Sequence, residues 1–238
     1  MSQSLEKLMF DNPAIPPESL ICPHIPYGTT HNARSARKWL EYASNPDILD
    51  LVESLIGPDI ILWGSQVFCK LPNVGKGVPW HQDGHYWPIK PLATCSVWIA
   101  LDPANLDNGC MRYIPGSHLP AKLVPHDGVP DEHGVLRERI SIGYLEERKV
   151  TENILQRGEL SLHDAYLIHS SLPNKSTKRR AGFVIRYMPS SSVFDREVSP
   201  KNQRGVQFDM SERPIWLLRG NDKSKKNNFE VGHKQFYI

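Results

Sequence analysis

The chain has 238 residues, 39% of them hydrophobic and 23% charged, and its 28 basic against 26 acidic side chains leave a net charge of +2. That balance excludes a binder driven by electrostatic attraction to nucleic acid, and the length suits one moderate domain with a real core. No apolar run approaches the roughly 18–20 residues of a membrane helix, and the four cysteines (Cys22, Cys69, Cys95, Cys110) contain no C-x-x-C pair, which excludes a zinc ribbon and points to reduced thiols.

Residues 1–10 carry no apolar stretch of the signal-peptide kind, so a cytoplasmic protein is expected. Residues 11–27 are rich in proline and poor in periodicity. Residues 35–43 predict a short helix with Trp39, Leu40 and Ala43 on one side. Asn45-Pro46 is an N-cap and first-turn pair opening a helix over 46–56, which Gly57-Pro58 ends. The period then changes. Residues 59–71 predict a strand, 72–77 a turn, 94–101 a buried strand and 110–114 a short one. The stretch 119–153 is long, polar and broken by Pro and Gly, and reads as an insert or lid. Strands follow over 160–162, 166–169 and 181–188. Many short strands between turns indicate a mainly β fold with flanking helices, a sandwich, barrel or jelly roll. One domain is expected: a helical and loop segment over 1–58, a β core over 59–189, and an extension over 190–238. Its basic patches (Lys223, Lys225, Lys226) read as solvated surface.

The informative stretch is Trp80-His81-Gln82-Asp83-Gly84-His85-Tyr86-Trp87. On an extended chain residues i and i+2 face the same way, so His81 and Asp83 can offer an imidazole and a carboxylate to one point. His169, at the end of an apolar run, can supply a third donor. Two histidines and a carboxylate on one face of a metal leave about three positions open, the arrangement of non-haem Fe(II) oxygenases. Arg180 lies eleven residues after His169, a length that lets a hairpin bring its guanidinium back beside the metal. There its fork can hold a dicarboxylate co-substrate. Lys178 and Arg179 read as a solvated turn.

These residues resemble the phytanoyl-CoA dioxygenase family. The blocks are His81-Gln82-Asp83, Trp98-Ile99-Ala100-Leu101, Asn108-Gly109-Cys110, Ile114-Pro115-Gly116-Ser117-His118, Gly158-Glu159, and Ile168-His169-Ser170-Ser171 through Asn174 to Arg180. They stand in the family's order over about residues 60–189. The resemblance implies a double-stranded β-helix (a jelly roll, cupin-like) and oxidation of a second substrate with Fe(II), 2-oxoglutarate and O₂. It implies that His81, Asp83 and His169 hold the iron and that Arg180 clamps the distal carboxylate of 2-oxoglutarate. Ser171, Trp98, Gln66 and Lys70 are expected around that co-substrate. Related halogenases replace the carboxylate with Ala or Gly, so Asp83 implies hydroxylation or another oxidation. Relatives begin with a helix and a strand ahead of the segment seen here, so the sheet either lacks an edge strand or fills it with another segment or subunit.

Trp63, His85, Tyr86, Trp87 and Arg186 are candidates for the substrate pocket, which would favour a polar or anionic small molecule. His85 also reads as structural. Arg186 lies six residues after Arg180 and on a regular strand faces the same way. His118 reads as structural, and the cysteines as small buried hydrophobes. Two other readings stand beside the dioxygenase: a jelly-roll hydrolase or isomerase using the same donors with Zn²⁺ or Mn²⁺, and an inactive binding protein of the same fold.

Overall fold

A computed structural model describes residues 1–25, 33–128, 136–145, 149–201 and 209–233. The chain opens with α1 (Ser2–Asp11) and β1 (Leu20–Ile21), then α2 (Lys38–Ala43) and α3 (Pro46–Ile56). The β region runs through β2 (Ile60–Lys70), β3 (Val78–His81), β4 (Ile89–Lys90), β5 (Cys95–Ala100), β6 (Met111–Tyr113), β7 (His126–Gly128) and β8 (Glu138–Ile140). It continues with β9 (Thr151–Glu152), β10 (Leu160–His163), β11 (His169–Ser171), β12 (Arg180–Pro189), β13 (Val193–Phe194) and β14 (Trp216–Arg219).

The large sheet has the order β1-β2-β12-β5-β10, and β14 also pairs with β2. A smaller sheet has the order β3-β11-β6-β9. The two sheets face one another across a cavity. This is the mainly β architecture that the pattern of short strands anticipates, in the cupin-like form that the family resemblance implies.

Alternation along the central strands divides apolar from polar side chains. Val67 and Cys69 of β2, Val97 and Ile99 of β5, and Phe183, Ile185 and Tyr187 of β12 belong to one buried cluster. Leu5, Leu8, Trp39, Ile48, Leu49 and Val52 bring the three helices onto that face. Gln66, Lys70, Trp98, Arg180, Val184 and Arg186 alternate with the core residues and line the cavity. Between Arg186 and Tyr187 the pairing of β12 with β2 slips, from Gly64 opposite Arg186 to Leu62 opposite Tyr187. Trp63 is the extra residue, a β-bulge that lets β2 exchange faces mid-strand.

The predicted helix over 46–56 is found unchanged, with Asn45 Oδ1 accepting the amides of Asp47 and Ile48. The helix expected over 35–43 forms only as α2, from Lys38. The α1 helix was not anticipated. The strand expected over 166–169 is corrected: the Asp164 carboxylate accepts the amides of Tyr166 and Leu167 at 2.9 and 3.0 Å, and pairing begins only at His169. Arg179 is likewise not a solvated turn residue. It donates to Asp102 and to Glu6, both at 2.7 Å, tying β12 to α1. The edge question is answered within the chain. β1 pairs with β2 at Gln66 and Val67, and β14 pairs with it at Ile60, Ile61 and Leu62. The insert over 119–153 carries the β7–β8 hairpin; its residues 129–135 and 146–148 lie outside the described residues, as do 202–208 of the basic extension. The four cysteines are free and buried, and among the described residues no helix is long and apolar enough to cross a membrane.

His24 is fully buried beside this frame, with its Nδ1 2.7 Å from Ser65 Oγ and its ring 5.1 Å from that of Trp216. Burial, then the charges of Arg213 and Arg186, hold it well below its ordinary value of 6.5. Burial also holds His126 down to about 4 and His169 to about 3. The unfolded chain therefore takes up protons below about pH 6.5 that the folded chain refuses, and stability falls as pH falls. The urea midpoint should decline from pH 7 to pH 5, and His24→Gln should flatten that decline. A midpoint independent of pH in the parent protein would contradict this reading.

Candidate metal centre and its cavity

His81 closes β3, and His169 opens β11 directly opposite it in the antiparallel register. Their ring centroids stand 4.1 Å apart. Each Nδ1 contacts the carbonyl two residues upstream, His81 to Pro79 at 2.8 Å and His169 to Leu167 at 2.9 Å. Donation there fixes one tautomer and leaves both Nε2 lone pairs free for a cation. Asp83 begins the short 3₁₀ turn Asp83–Tyr86, after an extended Gln82. The alternation argument therefore holds across one residue, although the strand itself ends at His81. Gln82 is pinned underneath: its amide donates to the carbonyls of Lys122 and Tyr166 at 2.9 and 2.7 Å and accepts from Val124 N–H at 2.8 Å. Donor atoms of His81, Asp83 and His169 lie within 4.8 Å of one another, and all three residues are buried.

Burial and the neighbouring His81 imidazole push His169 down to about 3, so it stays neutral and available as a donor. Burial pushes the Asp83 carboxyl up, but the His163 and His81 imidazoles beside it outweigh burial and hold the group well below the usual carboxylate range. A charged carboxylate beside two imidazole nitrogens is the donor set that a divalent first-row metal requires. The residues present fit such an ion.

The cavity above these donors measures about 210 Å³, room on the order of fifteen waters. Arg180 lines one end and is buried, its Nη2 donating to Gly109 O at 2.6 Å and its guanidinium 5.6 Å from the Trp98 ring. Its Nε has no partner among the described residues, and burial lowers its pKa to about 10. Gly109 turns at φ +76°, and a side chain there would collide with Leu172 O. Lys70 sits opposite Arg180 in the sheet, 2.7 Å from Ser171 Oγ and also bonded to Leu172 O. Burial, then the charge of Arg180, pushes Lys70 down to about 6. Gln66 lines the same wall and bonds to Glu18 O and Arg186.

Tyr86, Trp87 and Arg186 also line the cavity. His85 does not: its ring stacks 4.0 Å from His126 and its Nε2 lies 2.5 Å from Glu138 Oε2, so it fastens β8 of the insert instead. The substrate-pocket expectation for His85 is corrected accordingly. Among the cavity residues, His163 and Arg213 are charged or titratable groups near the site that escape the sequence reading. His163 ends β10, with Nε2 3.6 Å from Asp83 Oδ2; the predicted strand stopped one residue short of it. Arg213 comes from an aperiodic stretch that offers no signal.

The family model for phytanoyl-CoA dioxygenase (PhyH) matches residues 24–182. The chain belongs to the phytanoyl-CoA dioxygenase family. It is 34% identical over 202 residues to human peroxisomal phytanoyl-CoA dioxygenase (Homo sapiens), covering 77% of this chain and 59% of that protein. The chain thus spans little more than half the length of the curated relatives it matches. Among solved structures, the fold is similar to a non-heme monooxygenase, ThoJ, with a TM-score of 0.69 and 24% identity over 94% of this chain and 76% of that one. CytC3 with Fe(II) and alpha-ketoglutarate is 25% identical, with a TM-score of 0.54 over 77% of this chain and 66% of that one. Of the residues in the family's blocks, His81, Asp83, Trp98, His169, Ser170, Ser171 and Arg180 line one cavity.

Gly182 of β12 makes room for Trp98: an added Cβ would overlap the indole ring. Gly182→Ala should cost about 1–3 kcal/mol of stability through overpacking. It should also shift the tryptophan emission, because the ring must leave the Arg180 guanidinium. An unchanged melting temperature and spectrum would show that the ring is not held there.

Proposed function

We propose that the chain is an Fe(II)- and 2-oxoglutarate-dependent dioxygenase that hydroxylates a small-molecule metabolite, with 2-oxoglutarate converted to succinate and CO₂. The observation that carries this reading is the juxtaposition of the three donors with Arg180, a buried cation without an acidic partner among the described residues, in one cavity. His81 and His169 would hold the metal through Nε2 and Asp83 through a carboxylate oxygen. Iron bound there supplies the activation of O₂. Arg180 would pair with the distal carboxylate of 2-oxoglutarate, its freedom limited by Gly109 O and Trp98. Lys70 and Ser171 would stand beside that co-substrate, and Trp98 would keep water from it. His163 would hold the outer oxygen of Asp83, leaving the other to the metal. The presence of Asp83 favours hydroxylation over halogenation. A zinc hydrolase or isomerase using the same donors would leave Arg180 without a role, and an inactive binding protein would have no physical need of all four groups. Four unpaired thiols suit a reducing compartment such as the cytoplasm.

Anaerobic addition of Fe(II) and then 2-oxoglutarate should produce a visible metal-to-ligand charge-transfer band. Asp83→Ala should abolish both that band and succinate release; turnover at the parent rate would remove the carboxylate from the centre. Arg180→Gln should weaken 2-oxoglutarate binding by about 30–1,000-fold, the loss expected when a buried charge pair is broken. Iron affinity should change little in that variant.

Lys70, with a pKa of about 6, is largely neutral at pH 7.5, and an arriving dicarboxylate stabilises its charged form. Binding of 2-oxoglutarate should therefore take up close to one proton, seen as a dependence of calorimetric heat on the buffer's ionisation enthalpy. Lys70→Met should remove that dependence. Equal heats in all buffers for the parent protein would show that Lys70 does not sense the co-substrate.

A further inference from the structure

The cavity has a second cationic end. Arg186 faces it from the same strand as Arg180, six residues on, which at ~3.3 Å per residue separates their backbones by about 20 Å. A small dicarboxylate held at Arg180 and at the donors does not span that distance. Arg213, from the segment between Met210 and β14, meets Arg186 there. A Cβ added to Gly64 would lie 3.6 Å from Arg186 Cδ and 3.8 Å from Arg213 Nη1, so both side chains cross the same point of β2.

Neither guanidinium has an acidic partner among the described residues. Arg186 has a marginal contact with Gln66 Oε1 at 3.5 Å and the Trp87 ring at 5.5 Å, and its buried Nε is unpartnered. Two like charges meet there without an ion pair among the described residues, with Asp83 acting on Arg186 from beyond ion-pairing distance, and an anion that enters with a ligand would complete the charge balance. The surroundings describe the rest of that ligand. Trp63 and Trp87 meet edge to face at 4.8 Å, and with Met210 they form an apolar wall. The pocket also adjoins the donors. In the sheet Arg186 pairs with Ser96, and Ser96 with His163, whose ring lies 3.6 Å from Asp83.

We propose that Arg186 and Arg213 bind the oxyanion of the primary substrate, a small organic acid whose apolar body rests on Trp63, Trp87 and Met210 beside Asp83. The word substrate rests on the dioxygenase reading above; the anion site itself does not. The two forks suit a carboxylate or a phosphonate, which share the oxyanion chemistry recognised here.

Calorimetric titration of the full chain tests this, with and without saturating 2-oxoglutarate. The probes are phenylacetate, phenylphosphonate and the neutral phenylacetamide. At least one acid should bind, about tenfold or more tighter than the amide, and Arg213→Gln should weaken it about tenfold or more, the loss expected for a charge-assisted hydrogen bond. The same variant should keep its 2-oxoglutarate affinity within about twofold, and Arg180→Gln should show the reverse pattern. The stronger of the two acids identifies the head group. Arg213 lies outside the central strands, so this variant tests the proposal even where Arg186→Gln fails to fold. Equal binding of acids and amide, an unchanged affinity in Arg213→Gln, or no acid binding at millimolar concentration would each overturn the proposal. If 2-oxoglutarate fails to bind while the acids still depend on Arg213, the dioxygenase reading falls and the anion site stands.

Discussion

Two imidazoles held 4.1 Å apart and tilted by 50° between paired strands are the constraint on which the rest depends. His81 and His169 are opposite residues of β3 and β11, and each is tied back to its own backbone. Neither tether is available to a residue that must also reach for its partner, so strand pairing sets their separation. Asp83 then follows from one extended residue, and its charge is kept by the rings around it. Protonating both rings would set two cations 4.1 Å apart in a buried place, and burial keeps His169 neutral while Asp83 stays charged.

The large sheet serves two environments with one set of strands. Its core face carries aliphatic and aromatic side chains against three helices. Its cavity face carries Lys70, Arg180 and Arg186, none with a carboxylate within ion-pairing distance among the described residues. Elsewhere the chain pairs its basic groups readily, as Arg179 and Arg219 do. The basic groups of the cavity are an exception, and buried bases without an ion-pair partner are tolerated where a ligand supplies the missing charge.

Much of this was legible in the residues. Helix 46–56 carries its own cap, and the alternation in β2, β5 and β12 announces half-buried strands. The triplet His81-Gln82-Asp83 encodes its convergence locally. Other features are set by tertiary contact and have no local signature. Asp164 ends what reads as a strand by accepting two amides. His85 reads as a pocket residue until Glu138 and His126, far along the chain, claim its ring. His163 and Arg213 enter the cavity from a strand end and an aperiodic stretch, where neither period nor spacing distinguishes a lining residue from a surface one. The bulge at Trp63 defeats a strict period of two, and with it any reading of which residues of β2 share a face.

The strand β2 draws its outer partners from opposite ends of the chain, β1 at residues 20–21 and β14 at residues 216–219. During synthesis β1, β2 and β12 leave the ribosome well before β14 does. Until then the stretch from Ile60 to Leu62, wholly apolar, presents unpaired amides and carbonyls along an open margin. Such a margin invites pairing with another nascent chain. The final clasp is thus a matter of timing as well as of stability, since the margin that β14 covers is the last part of β2 to find its partner in chain order.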